Sequence, residues 1–315
     1  MICPHCGTTI PETCQFCIYC GGAVAAQDAV YSPDPPATYH VKLNLEKLLG
    51  NTFELYKRNF ATMCLVGVIF FGVWFVLFSF GMVTSLVATA IGILEPSLRL
   101  VATVCDHIFS AVINNLIVWY ITLGVLRQCL YTARGGTGFQ AELLLPPFMM
   151  YLRMVGLMIL LGCLTLVVML LPAGIVLVIG VLSHGVVFPP PKGDEAMMMA
   201  WMGAALAVLL VCMIPAIWIS IRLSLAQLFI ADLDTGVIDS LKYSWQITAG
   251  NFWMLFVASL VLGIGSMMGM FLCGVGFMLT VAILYLGNAL VYLQLTGQPN
   301  GLDWVVPSQE LEVRS

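Results

Sequence analysis

The sequence predicts an all-α polytopic membrane protein of about six transmembrane helices that carries a small N-terminal zinc ribbon. Hydrophobic residues make up 61% of the 315 and charged residues only 9%, against about 25% charged in an ordinary soluble domain. A soluble fold could not cover so much apolar side chain with polar surface. The ribbon is predicted from the cysteines, because five of the eleven lie within residues 1–20.

The N-terminal cysteines form two Cys-x-x-Cys pairs, each followed by glycine, within a segment at residues 1–22. The ligands are Cys3, Cys6, Cys17 and Cys20. The two-residue gap lets both thiolates of a pair reach one zinc ion at about 2.3 Å, and the glycines permit a tight knuckle. Four cysteines leave no open coordination position, so the predicted zinc is structural. Metal binding would supply the folding energy of so short a segment.

Cys14 is an alternative metal ligand, because Cys14 and Cys17 form a third Cys-x-x-Cys pair. The pair of Cys17 and Cys20 is favoured since only Cys20 is followed by glycine. A disulfide knot or a redox pair is the other interpretation of such a cluster. Disulfides require an oxidising compartment, which the predicted topology opposes.

We expect Cys20→Ser to lose most of the zinc affinity and Cys14→Ser to retain zinc. The measurement is metal content of the purified chain during titration with a chelator. The opposite pattern would move the site to Cys14.

Beyond the ribbon, residues 23–43 are a Pro/Ala-rich linker, residues 44–298 a six-span membrane domain, and residues 299–315 a cytoplasmic tail. A span needs about 20 residues to cross a hydrocarbon core of about 30 Å. The longer runs must therefore tilt, extend past the bilayer or break, with Pro172 and Pro215 as candidate kinks. The apolar runs are 61–94, 101–131, 154–184, 197–231, 252–272 and 275–295.

Basic residues predict the orientation of these spans. With six spans, all the Lys and Arg residues except Arg99 and Lys192 lie on or nearest the side that carries both termini. Basic residues concentrate on the cytoplasmic side of membrane proteins. Both termini are therefore predicted to be cytoplasmic, in a multi-pass protein without a signal peptide.

An amphipathic segment precedes each odd-numbered span. At an offset of 192 residues Phe53 aligns with Trp245, and Asn59-Phe60 aligns with Asn251-Phe252. A middle copy at residues 139–153 is weaker and is interrupted by two prolines. The pattern predicts an interfacial helix followed by a two-span hairpin, three times over.

Residues 239–253, 272–276 and Tyr285 resemble a broad set of bacterial six-span proteins. These proteins are related to the membrane domain that accompanies some glycerophosphodiester phosphodiesterases. The resemblance covers about residues 43–298 and implies a location in the plasma (inner) membrane. The catalytic barrel of the phosphodiesterases is missing here, so their activity is not implied.

The spans contain few polar side chains that could carry chemistry, and the chain has no phosphate loop, nucleophile elbow or His-Glu-x-x-His motif. Ionisable groups within a membrane are candidates for function. Asp106 and His107 favour a cavity or an intramembrane enzyme, unless their helix end simply lies in water. Arg127 and Arg222 are the other candidate cavity-lining residues, or snorkel to lipid phosphates. Asn288 is expected to hydrogen-bond between helices.

Two functions follow. The first is a non-enzymatic membrane protein that uses its zinc ribbon to dock a cytoplasmic protein partner at the bilayer. The alternative is a transporter or lipid-handling protein with a cavity between helical repeats. Lipid is the expected surrounding partner in both cases, and no nucleic-acid binding is expected.

Overall fold

A computed structural model describes residues 42–184, 195–269, 275–298 and 300–302. All the regular secondary structure in these ranges is helical. The predicted zinc ligands Cys3, Cys6, Cys17 and Cys20, and the alternative ligand Cys14, lie outside the described residues. The zinc ribbon therefore remains a prediction.

The described chain forms long helices joined by short turns. Single 3₁₀ turns at Pro96–Leu98 and Ala141–Leu144 join helices that follow one another. The α-helices are α1 (Leu45–Arg58), α2 (Phe60–Leu94), α3 (Arg99–Ala133), α4 (Phe148–His184), α5 (Glu195–Leu223), α6 (Ala226–Leu233), α7 (Val237–Ile247), α8 (Phe252–Met268) and α9 (Val275–Leu295).

Within the described ranges, five helical stretches are long and apolar enough to cross a membrane. The number becomes six when α7 and α8, which meet at 105°, count as one broken span. Large apolar side chains cover the outside of these helices, for example Phe75 on α2 and Leu166 on α4, each 57% exposed. Such a surface is stable against hydrocarbon and unfavourable in water. This confirms the prediction of a multi-pass, all-α membrane protein.

The helix α9 lies at the centre of the bundle. It packs against α1, α2, α3 and α8, while α4 packs mainly against α5. Of the most apolar part of α9, 56% is buried, compared with 11% of the corresponding part of α4. Ala282, Leu286, Ala289 and Tyr292 of α9 are completely buried. Among the candidate spans of the described residues, α4 is therefore the one whose most apolar part is least buried.

The amphipathic helix α1 is capped at both ends and fixed to α9. The Asn44 side chain accepts a hydrogen bond from the Lys47 N–H at 3.1 Å, as expected of an N-cap residue. Leu48 and Leu55 are buried, and the Tyr56 hydroxyl donates to the Leu279 carbonyl at 3.1 Å. Burial, with a smaller contribution from Cys64, raises the pKa of Tyr56 to about 12. The phenol therefore keeps its proton and its role as donor at neutral pH.

The segment before α8 has the same local design as the segment before α2. Asn59 and Asn251 each precede the first residue of a span and share a φ of −111°. Asn251 also accepts a hydrogen bond from the Leu43 N–H through its side-chain oxygen, at 3.2 Å. Gly250, at φ 82°, adopts the left-handed conformation that favours glycine. Before the third span, α4, Pro146 and Pro147 cannot donate backbone hydrogen bonds, and the segment forms one 3₁₀ turn.

A buried ion pair joins three helix ends at the side of the bundle where α1 and α7 lie. The Arg134 guanidinium contacts both carboxylate oxygens of Asp232 at 2.8 Å and donates to Gln298 at 2.8 Å. Tyr292 also donates to Asp232, at 2.8 Å. The side chains of Arg134 and Asp232 are 8% and 2% exposed. This network links α3, α6 and α9.

Candidate ligand cavity at a broken helix

The long apolar run at 197–231 is interrupted near its end. The helix α5 continues through Pro215 and ends at Leu223, and α6 begins at Ala226. The Ser224 hydroxyl donates to the Ile221 carbonyl at 2.8 Å, so it closes the turn between the two helices. The interruption therefore falls at Ser224 and Leu225, two turns after Pro215, and the kink at Pro215 remains a prediction.

A cavity of about 410 Å³ lies beside this break, bounded by α3, α4, α5, α6 and α9. Its volume falls in the range of small-molecule sites in proteins, about 300–1,000 Å³. Apolar side chains form one part of the wall and uncharged polar side chains the other. The lining residues are Leu126, Leu161, Thr165, Ile219, Ser220, Leu223, Ser224, Gln227, Leu228, Tyr285 and Asn288.

Two carboxamides provide the polar character of the cavity. Gln227 follows the break on α6, and Asn288 lies on the central helix α9. Both side chains are half-buried, and neither forms a hydrogen bond with any residue in the described part of the chain. A partly buried amide without a partner loses the hydrogen bonds that it makes in water. These two amides are therefore available to a ligand.

The mouth of the cavity is marked by lining residues that are exposed, namely Thr165 on α4 and Ser220 and Ser224 at the end of α5. Apolar residues close to these in the sequence are also exposed. Leu164 on α4 is 37% exposed and Ile217 on α5 is 40% exposed. The exposed part of the lining thus belongs to α4 and to the end of α5, beside exposed apolar side chains.

Asp106 and His107, which the sequence singles out, lie on α3 in its first half. His107 is exposed, and its Nδ1 pairs with the Thr103 carbonyl of the same helix at 2.7 Å. Asp106 is half-buried and accepts a hydrogen bond from Ser110 at 3.4 Å. Each side chain thus interacts with its own helix.

The two arginines take different positions. Arg127 donates to the Leu143 carbonyl at 3.3 Å, and Arg222 donates to the Trp245 carbonyl at 3.3 Å. None of Asp106, His107, Arg127 and Arg222 is among the residues that line the cavity at the break. That these four line a cavity remains a prediction.

Gln227 was not distinguished by the sequence, and Asn288 was expected to hydrogen-bond between helices. Asn288 forms no such bond with a described residue and faces the cavity instead. A signal was present in the sequence, because a carboxamide is unusual in an apolar run. To predict that Gln227 and Asn288 line the same cavity, one would have to know that α6 and α9 meet at the break.

Comparison with known proteins identifies a family without a described activity. No curated protein and no solved structure matches the chain. The match to a family model begins inside α2 and therefore excludes α1 and the predicted ribbon. The match gives no support to the predicted relationship with the phosphodiesterase membrane domain, which stays a prediction. The model that matches, over residues 71–299, is described as "Protein of unknown function (DUF975)", and since it covers more than half of the chain, the chain belongs to this family.

Proposed function

We propose that this protein is a non-enzymatic lipid-handling membrane protein that holds the neutral headgroup of an amphiphile in the cavity at the α5–α6 break. The observation that carries the proposal is the pair of unpartnered carboxamides, Gln227 and Asn288, on the wall of that cavity. The proposal develops the transporter or lipid-handling alternative that the sequence leaves open.

The lining favours a neutral headgroup. No lining residue carries a charge, and an unpaired charged group in such a site would be unstable. Carboxamides both donate and accept hydrogen bonds, as does the Ser220 hydroxyl, whereas the hydroxyls of Ser224 and Thr165 donate to backbone carbonyls and remain acceptors for a ligand. Hydroxyl and ester groups of a ligand match this combination. The apolar wall, including Leu126 and Leu161, suits the first part of an acyl chain.

The position of the mouth favours a lipid over a water-soluble solute. The exposed lining residues Thr165 and Ser220 lie on α4 and α5, beside the exposed apolar residues Leu164 and Ile217, and we place the mouth there. A lipid diffusing in the bilayer can reach such an opening without crossing water. The break places the Ser224 hydroxyl and the Gln227 amide on the wall of the cavity, close to the level of the lipid headgroups.

The predicted zinc ribbon adds a second role to this proposal. Two Cys-x-x-Cys-Gly pairs on a Pro/Ala-rich linker favour a module that docks a protein partner beside the membrane. The basic residues favour a cytoplasmic position for this module, and the resemblance to bacterial six-span proteins supports a location in the plasma (inner) membrane.

The proposal is tested with the full chain in vesicles of phosphatidylethanolamine and phosphatidylglycerol that contain a photoactivatable diacylglycerol. We expect crosslinks to concentrate in peptides from Phe148–Leu170 and Met213–Leu233. Replacing both Gln227 and Asn288 with Leu should lower the yield about fivefold or more, since each substitution removes hydrogen bonds to the headgroup. The measurement is mass spectrometry of the labelled peptides.

Asn115→Leu is the matched control. It too replaces an amide in a span with Leu, but the Asn115 amide is exposed and donates to Ala111 of its own helix. Its labelling should equal that of the wild type. Even labelling of all the spans, or equal labelling of the double variant and the wild type, would refute a lipid site in the cavity.

A further inference from the structure

Arg222 lies on the face of α5 directed away from the cavity, between two tryptophan rings. Its guanidinium carbon is 5.5 Å from the centre of the Trp218 ring and 5.0 Å from that of the Trp245 ring. The two rings meet edge to face, at 5.2 Å between their centres. Both distances from the arginine fall within the range of a cation–π interaction. The three side chains form one unit, here called the Arg222–tryptophan cluster.

The backbone holds this cluster in place. The Arg222 carbonyl accepts hydrogen bonds from the Ser244 hydroxyl at 2.8 Å and from the Thr248 hydroxyl at 3.3 Å. Both hydroxyls belong to the α7 side of the 105° bend. These hydrogen bonds fix the end of α5 against α7. They therefore hold the backbone of Arg222 at a defined position beside Trp245.

No acidic side chain among the described residues neutralises the charge of Arg222. Within the described ranges no acidic side chain forms an ion pair with it, whereas Arg58, Arg134 and Arg153 each have one. Its Nε atom is buried and has no hydrogen-bond partner, and one Nη donates to the Trp245 carbonyl. An arginine presents its donors as a planar fork that matches the oxygens of a phosphate.

The surroundings place this fork at the level of lipid headgroups. Trp218 is 39% exposed and Trp245 is 41% exposed, and tryptophan is enriched at the boundary between bilayer and water. The amphipathic helix α7 turns sharply away from the direction of α8, as a helix lying in the interface would. An anionic group at this level that could pair with Arg222 is the phosphodiester of a phospholipid.

We infer that the Arg222–tryptophan cluster is a binding site for the phosphodiester of an anionic phospholipid. Arg222 pairs with the phosphate oxygens, and the exposed edges of Trp218 and Trp245 contact the glycerol and the first carbons of the chains. This site is separate from the cavity, whose lining contains no charge. It therefore does not depend on the proposed function.

The test uses the purified, delipidated full chain in detergent, titrated with dioctanoyl phosphatidylglycerol and observed by native mass spectrometry. Arg222→Gln should weaken the binding of one lipid about tenfold or more, because it removes charge-assisted hydrogen bonds. Arg222→Lys should give an intermediate affinity, since it keeps the charge and loses the fork. Arg153→Gln is the matched control, because Arg153 already pairs with Asp234 at 2.8 Å, and should bind like the wild type.

Two further probes identify the source of the phosphate. Dioctanoylglycerol, which lacks the phosphate, should bind equally to the wild type and to Arg222→Gln. Inorganic phosphate, added at the same concentration as the lipid, should not displace dioctanoyl phosphatidylglycerol from the wild type. Full displacement would assign the site to free phosphate and overturn the inference. Equal lipid affinity of Arg222→Gln and the wild type would also overturn it. If Arg222→Gln fails to fold, equal affinity of Arg222→Lys and the wild type would do so.

Discussion

Asp232→Asn should destabilise the protein by about 3–5 kcal/mol, the cost of removing one partner from a buried ion pair. Asp232 is 2% exposed and binds the Arg134 guanidinium through both carboxylate oxygens. The substitution would leave the arginine charge buried among neutral groups. It would also weaken the hydrogen bond from Tyr292, which becomes a bond to a neutral oxygen. The measurement is the free energy of unfolding of the purified chain in mixed micelles.

Asp234→Asn is the matched control, because it makes the same chemical change two residues further along. The side chain of Asp234 is 47% exposed and pairs with Arg153, itself 40% exposed. Exposed ion pairs contribute about 0–1 kcal/mol. The residue has a φ of 50°, and asparagine tolerates this left-handed conformation as aspartate does. We therefore expect at most about 1 kcal/mol of destabilisation. Equal effects of the two substitutions would show that the Asp232 pair does not stabilise the fold.

Combining Asp232→Asn with Arg134→Gln should recover part of the lost stability, because the double variant no longer buries an unpaired charge. An additive loss would indicate that the two side chains stabilise the protein through separate contacts. The measurement is the same unfolding experiment on the double variant.

Membrane-spanning helices could be predicted from the sequence because their signal depends on composition alone. The predicted run at 252–272 and the observed start of α8 at Phe252 agree, since the sequence changes from polar to apolar residues after Asn251. The prediction of amphipathic helices before the first and fifth spans was also correct, and these helices are α1 and α7. Lys57 and Asp239 mark their polar faces in the sequence. Periodicity is a local property, and it needs no knowledge of the neighbouring helices.

The candidate site could not be predicted in the same way. Pro215 suggested where the helix would kink, but the break occurs at Ser224 and Leu225, which carry no breaker signal. The cavity depends on contacts between α4, α5, α6 and α9, which are far apart in sequence. The pairing of Arg134 with Asp232 spans 98 positions. A basic residue near the end of a span indicates topology, and it does not reveal its partner.

Gly67→Ala should have the largest effect of any small substitution in the spans. Gly67 of α2 is buried where this helix crosses α9, and a Cβ atom there would overlap the carbonyl oxygen of Met278. The obstacle is backbone, so no side chain can rotate away. The two helices would have to separate, which opens the contact of the central helix with the first hairpin. We expect a loss of about 3 kcal/mol or more, at the upper end of overpacking effects, in the free energy of unfolding.

Gly72→Ala provides the comparison, because it makes the same change in the same helix. No atom lies within 4 Å of a Cβ atom built at Gly72, and the residue is exposed on the outer face of α2. Alanine is favoured over glycine within a helix by about 1 kcal/mol, so this variant should be as stable as the wild type or slightly more stable. The difference between the two variants then reports the close approach of α2 and α9, since helix propensity is the same in both. If Gly67→Ala were as stable as Gly72→Ala, the backbones of α2 and α9 could not lie in direct contact at Gly67.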